Sequence, residues 1–157
     1  MITFHPIGYI KTPFTKLDQM PIQALAGKGF IGEIELNHEY VDGLKDLEQF
    51  SHIMLFYHLN EVTTHKLQVI PFLDDKPHGI FATRSPLRPN PIGFSIVKLI
   101  NITGNIIIVE DVDILCDTPL LDIKPYISKF DYRENVKNGW LKDDVEIEMQ
   151  MSDNRFI

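Results

Sequence analysis

Two aliphatic runs on either side of a tight turn constrain the fold of this chain most. Residues 94–100 and 106–110 flank Thr103-Gly104-Asn105, and this turn signal between β-branched runs predicts an antiparallel hairpin. Other short extended segments are predicted at residues 4–10, 32–36, 53–58, 120–126 and 145–149. No segment has the pattern of a long helix, and a short helix or turn suffices for residues 40–47. The chain is therefore expected to be mainly β, a single antiparallel β-barrel with short helices and long loops.

The composition is that of one globular domain. The chain has 157 residues, of which 44% are hydrophobic and 24% charged, close to the average for globular proteins. A chain of this length can bury a core without disulfides or metals. The sequence has no repeat, low-complexity tract or linker, so it predicts one domain over residues 1–157 with no separate C-terminal domain.

Cysteine and histidine usage argues against disulfides and metal sites. Cys116 is the only cysteine, which suits a reducing cytoplasm, and no apolar run reaches the roughly twenty residues that span a bilayer. The six histidines form no HExxH motif or close ligand pair, so no metal is predicted.

Glycine-rich phosphate motifs are also absent, which argues against a Rossmann-type nucleotide site. A cytoplasmic protein without a membrane segment is expected.

Residues 79–94, named here the Arg/Pro loop, place two arginines and three prolines between apolar segments. Proline fixes φ and disfavours helix in the residue before it, so the steps at 85–86, 88–89 and 90–91 are expected to be extended and stiff. A stiff backbone holds Arg84 and Arg88 at defined positions, where their planar donors suit a carboxylate or phosphate. The loop is therefore predicted to be an anion clamp. The alternative is a proline-rich surface connector whose arginines are only solvated.

The formal net charge of -7 argues against a protein that binds nucleic acid through phosphate contacts alone. Much of this acidity lies in residues 111–122 and 143–153. The Arg/Pro loop is therefore expected to be locally positive.

A second polar cluster occupies residues 113–126. If this segment is extended, Asp122 and Lys124 point to the same face and can pair. The pair is either a surface salt bridge or the acid/base or substrate-orienting pair of an active site, and the residues alone leave both open. Cys116, next to an aspartate, and His58, at a strand end, are better explained as structural than as catalytic side chains.

Two long motifs in this order resemble the paired signatures of the TsaA-like family, also called TrmO. They are residues 79–95 and 118–126, and the blocks at 7–14 and 43–52 match as well, so the resemblance covers residues 4–126. It implies a β-barrel that binds S-adenosylmethionine and is usually a homodimer, with the cofactor near the subunit interface. The activity it implies is methylation of the N6 atom of threonylcarbamoyl-adenosine beside the anticodon of tRNA.

The resemblance also implies roles for individual residues. Cofactor contacts are expected at Ile22, Gln23, Ala24, His58, Leu59, Asn60, Arg84, Phe94, Asp111, Val112, Asp113 and Ile114. Arg88 and Asn90 are expected to bind substrate, and Asp122, Lys124 and Tyr126 are the candidate catalytic residues.

The chain departs from the family pattern in two places. Bacterial relatives usually have an arginine before the position of Gln23, where this chain has Ile22. They also have an Asp-Gly pair before Thr-Pro, where this chain has Cys116-Asp117. Asp117 is therefore expected to occupy a position that favours positive φ, which aspartate tolerates better than most residues. Longer relatives carry a C-terminal extension, so any tRNA contacts that it supplies are expected to be missing here.

Three functions compete at this point. The first is in-line methyl transfer to tRNA, with Asp122 or Tyr126 accepting the proton, Lys124 poising them, and an arginine of the loop holding a carboxylate or phosphate. The second is a module that binds S-adenosylmethionine as a sensor or scaffold, or that methylates a small molecule. The third is a cysteine-dependent hydrolase built on Cys116 and His58, the least favoured of the three.

Overall fold

The computed structural model describes residues 1–21 and 28–143. Its strands are Gly8–Lys11 (β1), Ile31–Leu36 (β2), His52–His58 (β3), Gln68–Val69 (β4), His78–Gly79 (β5), Ile92–Thr103 (β6), Ile106–Glu110 (β7) and Thr118–Pro125 (β8). The α-helix is Ser128–Asp131 (α1), and the 3-10 helices are Leu17–Gln19, His38–Leu44, Leu47–Gln49 and Ile80–Ala82. In these ranges no helix has the length and apolar character needed to cross a membrane.

Six strands close into an antiparallel barrel in the order β1-β2-β7-β6-β3-β8, which confirms the fold expected from the sequence. The longest strand, β6, pairs with β3 on one side and with β7 on the other. β8 closes the barrel by pairing with both β1 and β3. Closure gives each of the six strands two partners and so removes the exposed edges of an open sheet.

The barrel interior is filled by aliphatic side chains from alternate strand positions. In β3, Ile53, Leu55 and Tyr57 are buried, while the residues between them are half-buried or exposed. The same alternation in β2 and β7 buries Ile34 and Val109 completely. Because one face of each strand is buried, a slip of one residue would turn these side chains outward, so the core fixes the register.

The predicted hairpin at the turn 103–105 is present as β6 and β7, with Gly104 at a φ of 59°. The first strand, expected from residue 4, begins at Gly8, because Pro6 has no N–H to donate to a ladder. β8 ends at Pro125, as expected for a proline in a strand. The predicted strand at 145–149 lies outside the described residues.

The segment between β3 and β6 forms a small second cluster beside the barrel. β4 and β5 pair with each other there, and Val69, Ile80 and Leu87 are buried together. The Trp140 indole N–H donates a hydrogen bond of 2.7 Å to the carbonyl of Ala82, which ties the segment after α1 to this cluster. The Arg/Pro loop therefore has a core of its own.

Candidate functional site

Three segments that are far apart in sequence meet at one end of the barrel. His58, the last residue of β3, pairs with Ile92, the first residue of β6, and the Leu59 N–H donates to the carbonyl of Pro91 at 2.8 Å. The third segment follows β7, and Asp113 in it contacts Ser95 of β6. We call this end the barrel mouth. It brings together the predicted cofactor residues of 58–60, 94 and 111–114.

The segment after β7, residues 111–117, crosses the end of the barrel and is held there by hydrogen bonds. The Asp111 N–H donates to the carbonyl of Phe30 at 2.9 Å, and the Thr12 hydroxyl donates to the carbonyl of Ile114 at 2.7 Å. Asp111 and Asp117 take φ values of 70° and 67°. The positive φ expected at Asp117 is thus observed, and Asp111, at the other end of this segment, also has a positive φ.

A buried chain of hydrogen bonds runs from the barrel interior to this crossing. The Tyr57 hydroxyl lies 2.9 Å from the Ser95 hydroxyl, which donates to Oδ1 of Asp113 at 2.6 Å. Ser95 has one hydroxyl proton, so it accepts from Tyr57 when it donates to Asp113. Gly93 makes room for this arrangement, because a Cβ there would lie 2.0 Å from the Tyr57 ring.

Burial is the largest influence on the pKa values of Asp113 and Tyr57 in this hydrogen-bonded network. Burial raises the pKa of Asp113 to about 6, although the hydrogen bond from Ser95 and the charge of Arg84 oppose the rise. Burial, with the charge of Asp113, also raises the pKa of Tyr57 far above its usual value. The positive charge of Arg84 lowers the pKa of both groups, by less than burial raises it.

Arg88 has a structural role in the Arg/Pro loop. Its Nη1 donates to the carbonyls of Ile80 and Thr83 at 3.1 and 2.8 Å, and its guanidinium carbon lies 5.9 Å from the centre of the Phe81 ring. These two bonds use only some of the five N–H donors of the side chain. The loop is therefore stiffened by an arginine as well as by prolines. Asn90 lies exposed at the end of the loop.

The predicted pairing of Asp122 and Lys124 is confirmed. Their charged atoms lie 2.8 Å apart, and the side chains are 49% and 57% exposed. Lys124 also lies 6.0 Å from the centre of the Phe56 ring, and the Tyr126 ring meets the ring of His52 edge to face at 6.4 Å. The three candidate catalytic residues thus line one strip of the barrel's outer face. A hollow of about 520 Å³ opens beside Asp122.

The barrel wall separates Asp113 from the candidate catalytic residues within one copy of the chain. Asp113 accepts a hydrogen bond from the inward-facing Ser95, whereas Asp122 lies in register with Phe56, which points outward. Phe94 joins this outer strip, since it is opposite Phe56 in β6 and their ring centres are 5.3 Å apart. The cofactor residues predicted at Ile22, Gln23 and Ala24 lie outside the described residues.

Within residues 1–21 and 28–143, no group of three histidine, cysteine, aspartate or glutamate side chains is placed to hold a metal ion. Cys116 is half-buried, and its N–H donates to the carbonyl of Phe14.

Sequence reasoning missed Tyr57, Ser95 and Phe56. Tyr57 and Phe56 lie in a continuous apolar run, which hides which of them points inward. Ser95 gave a weak signal, because a polar residue at an inward position of β6 needs a hydrogen-bond partner. Only the folded chain shows that this partner is Asp113.

Comparison with known proteins identifies the family. Residues 9–132 match the family described as the tRNA-methyltransferase O N-terminal domain. A probable S-adenosyl-L-methionine-binding protein of Pyrococcus abyssi is 50% identical over 158 residues, which cover 100% of this chain and 86% of the relative. The tRNA (adenine(37)-N6)-methyltransferase of Homo sapiens is 37% identical over 83% of this chain and 31% of its own length.

Structural comparison agrees with the sequence match. A crystal structure of TrmO superposes with a TM-score of 0.76 at 35% identity, covering 88% of this chain and 64% of the other. The chain thus spans less than two thirds of that protein and about a third of the human relative. It belongs to the family of the tRNA-methyltransferase O N-terminal domain.

Proposed function

We propose that this chain binds S-adenosylmethionine at the barrel mouth and methylates the N6 atom of threonylcarbamoyl-adenosine beside the anticodon of tRNA. The observation that carries this proposal is the meeting of residues 58–60, 92–95 and 111–114 at one end of the barrel. The names of the relatives support it, because one is called a binding protein for this cofactor and another a tRNA adenine-N6 methyltransferase.

The residues at the mouth suit this cofactor chemically. S-Adenosylmethionine carries a positive sulfonium and a positive amino group, and the Asp113 carboxyl supplies a negative partner when ionised. Its Oδ2 takes no part in the bond from Ser95. Phe94, which is 37% exposed on the outer face of β6 beside the mouth, offers an apolar surface for the adenine ring. When bound, the cofactor supplies an activated methyl group.

This chain's own residues would align the acceptor and take its proton. The lone pair of the acceptor nitrogen is delocalised, so bond formation to carbon requires that the nitrogen lose its proton. Asp122 is our candidate acceptor for that proton, and its ion pair with Lys124 holds the carboxylate in place. Tyr126 is the second candidate. Arg88, or Arg84, would hold a carboxylate or phosphate of the substrate.

We propose that the protein acts as a homodimer. The outer face of β6 and β3 carries exposed or half-buried apolar side chains that one copy leaves uncovered. They are Met54, Phe56, Ile92, Phe94 and Ile96. A second copy packed here would cover this face, and would let the outer strip of one copy complete the mouth of the other.

The competing function is a cofactor-binding sensor or scaffold, or a small-molecule methyltransferase. Its support is that relatives from Pyrococcus abyssi and Archaeoglobus fulgidus are named only for binding S-adenosylmethionine. The net charge of -7 also disfavours strong phosphate contacts with tRNA.

Mass spectrometry of tRNA nucleosides separates these functions. The protein is incubated with S-adenosylmethionine and with tRNA that contains threonylcarbamoyl-adenosine. Our proposal predicts a mass gain of one methyl group on that nucleoside, and tRNA lacking the threonylcarbamoyl group is the control. Cofactor binding without any methylated nucleoside would contradict the proposal and favour the sensor.

A further inference from the structure

Phe81 is an exposed aromatic residue near the start of the Arg/Pro loop, outside the buried network of Tyr57, Ser95 and Asp113. It lies in the 3-10 helix Ile80–Ala82, and 77% of its surface is exposed. Single exposed apolar residues are common on protein surfaces, so exposure alone identifies no site. The groups around Phe81 distinguish it from such residues.

The backbone around Phe81 is held by side chains from two other parts of the chain. Arg88 donates to the carbonyls of Ile80 and Thr83, on either side of Phe81. The Trp140 indole donates to the carbonyl of Ala82. An exposed ring on a backbone fixed in this way loses little entropy when a ligand packs against it.

The chemistry around the ring suits a planar, electron-rich partner. The Arg88 guanidinium lies 5.9 Å from the ring centre, within cation-π range, and leaves much of the ring open to solvent. Trp140, which donates a hydrogen bond to Ala82 in this turn, stacks on His78 with 4.8 Å between ring centres and 17° between planes. Aromatic rings combined with arginine are the usual surface on which proteins stack nucleobases.

Phe81 is also close to the barrel mouth. Arg88, whose guanidinium lies 5.9 Å from the centre of the Phe81 ring, precedes Pro91 by three residues, so the Cα atoms of Arg88 and Pro91 are at most about 11 Å apart. The carbonyl of Pro91 accepts a hydrogen bond from the Leu59 N–H at the mouth. A base stacked on Phe81 would therefore lie near the site of methyl transfer.

We propose that Phe81 is the stacking platform for a nucleobase next to the methyl acceptor of the RNA substrate. This inference rests on the proposed tRNA methylation. Stacking also resolves a difficulty of charge, since a chain with a net charge of -7 gains little from phosphate contacts, whereas stacking on a ring needs no positive charge.

Four variants test the platform in the full-length protein. Phe81→Ala removes the ring, Phe81→Leu keeps apolar bulk without an aromatic face, and Phe81→Tyr keeps the face. Phe130→Ala is the matched control, because Phe130 is 66% exposed and lies in α1. For each variant, fluorescence anisotropy measures tRNA affinity, calorimetry measures cofactor affinity, and steady-state assays give KM and kcat for tRNA.

Alanine and leucine at position 81 should weaken tRNA binding about tenfold or more, mainly through KM, because stacking of one base contributes about that much. Tyrosine and the Phe130 control should stay within about twofold of the wild type, and cofactor affinity should hold in all variants. Full tRNA affinity in Phe81→Leu, or an equal loss of cofactor affinity in Phe81→Ala, would show a packing role and overturn the inference. A wild-type protein that neither binds nor methylates tRNA would overturn the proposed function as well.

Discussion

Asp113 is the residue on which the proposed cofactor binding depends most. It sits on a segment of irregular backbone, is bonded to Ser95, and faces the charge of Arg84. A buried carboxyl with a raised pKa beside an arginine is a common feature of functional sites. If Asp113 binds the cofactor as proposed, its charge links the stability of the barrel to the binding of a positively charged ligand.

Replacing Asp113 by asparagine should change how stability depends on pH. Burial raises the pKa of Asp113 from 3.8 to about 6, so between these values the folded protein keeps a proton that the unfolded chain has released. The stabilising contribution of the protonated Asp113 carboxyl is therefore present at low pH and lost as the pH rises through 6. The stability of the wild type relative to Asp113→Asn should fall by about 2 kcal/mol from about pH 4.5 to about pH 7.5, as measured by urea unfolding. A constant difference between the two proteins would refute this titration.

The sequence predicted that the Arg/Pro loop is stiff, but it did not predict the hydrogen bonds within the loop. Proline steps are local signals and can be found without a structure. The bonds from Arg88 to the carbonyls of Ile80 and Thr83 depend on how the loop folds back on itself. The sequence likewise gave no sign of β4 and β5, because strands of two residues have no periodicity.

Arg88→Ala should reduce methyl transfer to tRNA far more than it reduces cofactor affinity. The substitution removes a donor for the substrate and the hydrogen bonds that hold the backbone on either side of Phe81. The buried network around Asp113 does not include Arg88, so cofactor affinity should change little. We expect kcat/KM for tRNA to fall at least about tenfold, since a charge-assisted hydrogen bond contributes about 1.5–3 kcal/mol. Calorimetry with S-adenosylmethionine provides the comparison, and equal losses in both measurements would count against the assignment.

Ile96→Asp should break the proposed homodimer. Ile96 lies on the apolar outer face of β6 opposite Met54, where a buried unpaired charge would oppose association. Light scattering after gel filtration should give a dimer for the wild type and a monomer for the variant. Leu67→Asp is the control, since Leu67 is exposed in the loop before β4 and should leave the dimer intact. A monomeric wild type would remove the basis for this interface.

At the scale of the whole molecule, closure of the barrel creates the candidate site. Alternation and turn signals predicted the hairpin of β6 and β7 and most of β8, because those signals are local. The contact between Ser95 and Asp113 joins the start of β6 to the segment that follows β7, in line with the register that pairs Lys98 with Glu110. The resemblance grouped the predicted cofactor residues by family motif, and the fold explains why those at 58–60, 94 and 111–114 are neighbours.

The most direct test of this account is to locate the cofactor on the protein. Backbone amide resonances of the isotope-labelled protein would be followed by NMR while S-adenosylmethionine is added. We expect the largest shifts at residues 58–60, 92–95 and 111–114, which meet at the barrel mouth. Unchanged resonances there, with the largest shifts beside Leu44 and Leu47 at the hollow next to Asp122, would contradict the central claim.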